Sequence, residues 1–213
     1  MQYLSKIIAA AALLSMGGTA SATVVSGALT GGSAFTNGGT FQIIAPPAAV
    51  GNDRQQNNNL YAFNELQNAV LLNNITADFG PALIAGQRFN SHFVFFDPGP
   101  SRSAIGTVTF NAPILAVLAL TAKMNASDAS FGVPGVTYDT PAARGLEAAT
   151  DSFSVSGNTL SLRWTASDPG DYIRVLTASA VPEPASWALM LAGFSLPGAA
   201  LRRPRRTLRV RFT

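Results

Sequence analysis

The chain has 213 residues, 47% apolar and 12% charged, room for one ordinary domain plus targeting segments. It has no cysteine and one histidine, which excludes disulfides, cysteine nucleophiles and multi-histidine metal sites. Its net charge of +3 misleads: six of 14 basic residues crowd the end and Lys6 stands near the start, so residues 23–181 carry seven basic against ten acidic groups and lack the basic face a nucleic-acid reader needs.

Residues 1–22 open with Lys6 as a short basic region, continue with an apolar run over 7–16, and close on the small residues Ala20-Ser21-Ala22. That order predicts a secretory signal peptide handled by Sec-type export machinery. Cleavage after Ala22 would leave Thr23 as the first residue of the mature chain.

Residues 23–180 are rich in Gly, Asn, Ser, Thr, Val and Phe and are broken by turn residues. Residues 45–59, with Pro46-Pro47 and Asn57-Asn58-Asn59, read as a long surface loop. Apolar runs at 60–63 and 69–72 surround Asn64-Glu65-Leu66-Gln67-Asn68, which reads as a hairpin. Over 87–96, Phe89, Phe93 and Phe95 share one parity and mark a strand. Over 105–110, Ile105 is out of phase with Val108 and Phe110, which suggests a bulge at Gly106. The apolar run 114–120, bounded by Pro113 and Lys123, is short enough to be a buried strand. Residues 123–130 suit a short helix, and 132–144 read as a second long loop. Strands at 152–156 and 159–165 flank Gly157-Asn158, a two-residue turn. The last strand, 172–176, is entered through Asp168-Pro169-Gly170-Asp171. Short strands with regular turn signals and no repeat period predict an all-β fold, an antiparallel β-sandwich that is jelly-roll-like.

Val181-Pro182-Glu183-Pro184 cannot continue a strand ladder, because each proline lacks a donor. Residues 185–201 carry no charge and would rise about 26 Å as a helix, near the lower limit for a transmembrane span. Gly193, Pro197 and Gly198 weaken that span, which suits a temporary membrane stop. Arg202, Arg203, Arg205 and Arg206 then form a transmembrane stop on the cytoplasmic side, the side Lys6 also keeps. Residues 23–181 are thereby expected outside the inner membrane.

The run from Pro182 to Leu191, which reads Pro-Glu-Pro-Ala-Ser-Trp-Ala-Leu-Met-Leu, followed by Gly193-Phe194 and the arginines, resembles the PEP-CTERM sorting domain. The resemblance covers residues 181–213. It implies recognition of Pro182, Glu183, Pro184 and Trp187 by an exosortase, a membrane transpeptidase-like enzyme, with processing at or near Pro182 to Pro184. It also implies transient anchoring in the inner membrane, then residence at the cell surface or in an extracellular matrix, in a producer of exopolysaccharide or biofilm. Pro197 and Pro204 depart from the pattern and bear on the helix length and stop position.

Chemistry in the body is sparse. His92 would stand on the strand face opposite Phe93. A Ser-His-Asp site with Asp97 or Asp151 would need a nucleophile elbow or oxyanion motif, and neither accompanies it. Asp168 and Asp171 are calcium candidates, as is Asp53 with Asn57 and Asn59, although neither group has EF-hand order and Asp capping its own turn explains both. Gly31-Gly32 and Gly38-Gly39 are loop glycines without phosphate-loop context. Asn74-Ile75-Thr76 and Asn125-Ala126-Ser127 match the glycosylation acceptor pattern by coincidence. The expected function is therefore a non-enzymatic surface or matrix protein without a cofactor. A carbohydrate-binding module is the alternative, using Tyr61, Tyr138, Trp164 or Tyr172 exposed on a concave face. A hydrolase would need facing carboxylates, and Asp97, Asp139, Glu147 and Asp151 are too scattered in sequence to name a pair.

Overall fold

Burial alternates along some strands and is continuous along others, and this divides the fold into two sheets. The structure, a computed structural model, describes residues 21–179. The expected leader up to Ala20 and the tail, with Pro182, Glu183, Pro184, Trp187, Arg202, Arg203, Arg205 and Arg206, lie outside the described residues. Among the described residues no helix is long and apolar enough to cross a membrane.

The first sheet has the order β1 (Val24–Gly31), β7 (Arg102–Phe110), β11 (Thr159–Ala166), β10 (Ser152–Ser156), all antiparallel. Its strands alternate: Ala104, Val108 and Phe110 are buried between half-exposed neighbours, and Leu160, Leu162 and Trp164 are buried between exposed ones. One face therefore meets the core and the other meets water. The second sheet has the order β2 (Phe41–Ile43), β4 (Leu60–Asn64), β6 (Arg88–Phe96), β12 (Asp171–Ala178), β8 (Ile114–Leu118), with β5 (Ala69–Val70) also paired to β6. Only β2 and β4 run parallel there. Except at their ends, β6 and β12 are buried on both faces.

The inner core lies between the sheets. Val108, Phe110, Leu162 and Trp164 meet Val94, Phe96, Ile173 and Val175 across it. A second core covers the outer face of the second sheet, where Tyr61, Phe63, Phe93, Phe95 and Tyr172 line up on alternate positions. Tyr61 stacks on Phe95 at 5.2 Å and Phe95 on Tyr172 at 5.8 Å between ring centroids. Burying each such side chain is worth about 1.5–3 kcal/mol. The cover is made by α2 (Thr121–Phe131), through Met124 and Phe131, and by the short parallel pair β3 (Ala49–Val50) and β9 (Thr137–Tyr138). The remaining helix, α1 (Gly32–Thr36), follows β1. The molecule is thus mostly β, two facing sheets with a second layer over one of them.

Several local expectations hold. Phe89, Phe93 and Phe95 share one core, Gly157-Asn158 joins Ser156 to Thr159, and a helix spans Thr121–Phe131. Three are corrected. No hairpin joins 60–63 to 69–72: β4 and β5 both pair with β6, Asn64 opposite His92 and Ala69 opposite Phe89, so residues 65–68 bulge from one continuous edge. Glu65 and Gln67 turn inward instead, Glu65 accepting the Ser91 hydroxyl at 2.6 Å and Gln67 Nε2 donating to the Ser91 carbonyl at 2.9 Å. Strand β7 carries no bulge at Gly106. The irregularity is in β1, where Leu29 faces Gly106 and Gly31 faces Ile105, and Ile105 simply points to the other face. Gly106 is small for close approach, since a Cβ there would sit 2.5 Å from the Ala28 carbonyl oxygen. Finally, 45–59 and 132–144 are not simple surface loops, because they pair as β3 and β9 and bury Val50.

Candidate functional site

The turn before β10 and the start of β12 bring three carboxylates together. Gly145 N–H donates to Thr121 Oγ1 at 3.0 Å and Leu146 N–H to the Ala119 carbonyl at 2.9 Å, which pins the approach to the turn. The Thr150 and Asp151 amides both donate to the Glu147 carbonyl, at 3.1 and 2.9 Å. Asp151 in turn accepts the Glu147 amide at Oδ2 and the Thr165 amide at Oδ1, at 2.9 and 2.7 Å. Asp171 comes from the other side, on the parity of core residues Ile173 and Val175. Gly170 delivers it: its φ of +89° is left-handed, and a Cβ would lie 2.9 Å from the Phe96 carbonyl oxygen.

One carboxylate oxygen from each of Glu147, Asp151 and Asp171 lies within 4.8 Å of the other two. Asp171 is 2% exposed, and its Oδ2 is buried without a hydrogen-bond partner. Burial, then the Asp151 and Glu147 charges, push Asp171 up to about 8. Glu147 is also raised, by burial and then by Asp151. Among the described residues, no lysine or arginine forms an ion pair with any of the three. Beside Asp151 opens a groove of about 390 Å³, walled by Phe79, Leu120, Leu146 and Phe153, with Asp78 at its rim. Phe79 and Leu120 are exposed.

This arrangement regroups the calcium candidates of the sequence. Asp168 is exposed and stands apart from the trio, whereas Asp171 joins two acids from a different segment. Asn57 and Asn59 do not converge with Asp53 on an ion; both donate to the Tyr61 hydroxyl, at 2.9 and 3.1 Å. Asp97 accepts the Arg54 and Gln55 amides, each at 2.8 Å, and Asp139 accepts Arg54 Nε at 2.7 Å. Those two acids hold the 45–59 segment in place.

His92 is buried. Asn64 Oδ1 already accepts the Val24 amide at 2.9 Å, so it is an oxygen, and His92 Nδ1–H donates to it at 2.8 Å. Nε2 is then left to accept the Thr177 hydroxyl at 2.9 Å. Burial lowers this histidine to about 3. Neither Asp97 nor Asp151 is its partner: this is a satisfied strand histidine, with both ring nitrogens engaged by Asn64 and Thr177.

The aromatic candidates also fall inside. Tyr61, Trp164 and Tyr172 are buried because they occupy core-facing parities, and Tyr138 is half-buried with its hydroxyl accepting the Val133 amide at 3.1 Å. None presents an open ring face for sugar stacking. At the expected mature start, Ala22 is buried and the Thr23 amide donates to Asn111 Oδ1 at 2.7 Å.

Sequence reasoning missed the buried charge cluster of the second core. Arg174 is fully buried and donates to Glu65 through Nε at 2.6 Å and Nη2 at 2.7 Å, to Asp128 at 3.0 Å, and to Ser127. Arg144, equally buried, grips Asp128 at 2.6 Å and Asn125 at 2.8 Å. Both guanidinium groups lie 5.6 Å from the Phe93 ring. The one available signal was an arginine inside the apolar run of β12. Compared with known proteins, the chain matches no family model, no curated protein and no solved structure.

Proposed function

We propose that the chain is an exported, non-enzymatic surface or matrix protein: a jelly-roll-like β-sandwich led out by a signal peptide, stopped in the inner membrane by a transmembrane sorting helix, and processed by an exosortase. The observation that carries this reading is the order of Pro182-Glu183-Pro184, Trp187, an uncharged 185–201 and the arginine cluster. The body supports it. Its chain crosses between sheets from β6 to β7, β7 to β8 and β11 to β12, in keeping with a jelly roll. Arg174, Arg144, Lys123 and Arg54 are engaged in ion pairs with its own acids, and many exposed positions are Asn, Ser or Thr. Such a surface suits a neutral exopolysaccharide matrix.

Mass spectrometry of the mature protein from its producer, with and without the sorting enzyme, tests the proposal. Processing near Pro182 to Pro184, lost in Glu183→Ala, is expected. A surface-located chain still ending at Thr213 would refute it.

The groove beside Asp151 favours a second reading, a carbohydrate-binding module that uses Phe79 and Phe153 instead of the buried aromatics. Titration with the producer's own polysaccharide should then show binding that Phe79→Ala abolishes. An inert titration disposes of that reading.

A further inference from the structure

We propose that Glu147, Asp151 and Asp171 form a binding site for one calcium ion where β12 leaves its entry turn. Two ligands of a common calcium ion, each about 2.3–2.6 Å from it, lie at most about 5 Å apart. The three carboxylate oxygens already meet that limit, at 4.8 Å or less, although they arrive from two separate segments.

The independent sign is Asp171. An aspartate 2% exposed, with a buried oxygen that nothing donates to, is costly to fold. Two other buried acids among the described residues have partners: Glu65 has Arg174, and Asp97 takes two amides at Oδ2, although its Oδ1 also has none. Asp171 has instead two more carboxylates and no cationic side chain. A cation supplies what the protein leaves out.

The donor set is all oxygen, which selects a hard ion over zinc or copper. Donors from two segments suit the flexible geometry of calcium better than the strict octahedron of magnesium. Asp151 is held rigid by the Glu147 and Thr165 amides and the Thr150 hydroxyl, and its Oδ1, which accepts only the Thr165 amide, keeps a second lone pair for a metal. Glu147 is exposed, so the ion enters from that side and water completes its shell. The site stands whether or not the tail is processed.

The test uses the full-length chain in mild detergent, stripped with EDTA. Equilibrium dialysis with radioactive calcium should give one ion per chain with Kd on the order of 10⁻⁴ M, and the melting midpoint should climb with calcium concentration. Asp171→Asn should weaken binding at least about tenfold, yet melt in EDTA no lower than wild type, because it removes the uncompensated acid. Should that variant fail to fold, Glu147→Gln, at an exposed position, should still weaken binding several-fold. Absence of saturable binding up to about 10 mM calcium overturns the proposal. So does undiminished binding by the folded Asp171→Asn chain, or a loss confined to Asp168→Asn.

Discussion

Replacing Arg174 with methionine removes a fully enclosed charge of the second core. In the native fold, burial works against this guanidinium, but Glu65 and Asp128 outweigh it and hold it ionised beyond its ordinary range. Methionine leaves Glu65, itself 4% exposed, with the Ser91 hydroxyl at 2.6 Å and no counter-charge. Asp128 keeps Arg144. Breaking a buried pair from one side costs about 3–5 kcal/mol, a large share of the roughly 5–15 kcal/mol that holds a domain together. At about 2–4 °C per kcal/mol, the melting midpoint should drop by roughly 6–20 °C. Urea unfolding, followed by the fluorescence of core residue Trp164, measures the same loss. Adding Glu65→Leu removes both charges, and the double variant should recover most of the stability. A single variant costing under about 1 kcal/mol, or a double variant no better than the single, would refute the reasoning.

His92 sits at about 3 in the fold and near 6.5 once unfolded, so below about 6.5 the unfolded chain binds the extra proton. Its contribution is complete above that pH and fades as pH falls toward 3; wild type should lose stability relative to His92→Gln by up to about 1.4 kcal/mol per pH unit there. Comparing the two chains by urea titration cancels the opposite titration of Asp171, and a constant difference would count against this burial argument. Gly170→Ala should cost about 1–3 kcal/mol in thermal melts, since its φ of +89° and the Phe96 carbonyl both exclude a Cβ. Trp164→Ala should cost about 3–5 kcal/mol through the cavity it leaves, whereas Trp164→Phe should cost under about 1.5 kcal/mol, because the indole N–H has no partner to lose. Denaturant midpoints of the two variants settle that comparison.

The parity of Phe89, Phe93 and Phe95 announced a strand, and Gly157-Asn158 announced a tight turn, because both signals are local. Strand β1 was not visible: Ser26, Gly27, Ala28 and Thr30 carry little apolar alternation, and their place depends on the neighbouring β7. The polar stretch 64–68 looked like a turn because its destination, Arg174, lies 109 positions beyond Glu65. Glu147 and Asp151 were visible as acids four positions apart, but nothing near them in sequence pointed to Asp171.

The sequence by itself carried the order of residues at the two ends on which the proposed sorting rests, and the all-β character of the body, since hydrophobic order, proline placement and two-residue alternation act over a few neighbours. Only the tertiary structure decided which acids meet, which aromatics are hidden and which charges are compensated. Those outcomes depend on sheet order and on the pairing of segments dozens of residues apart, which no local pattern encodes.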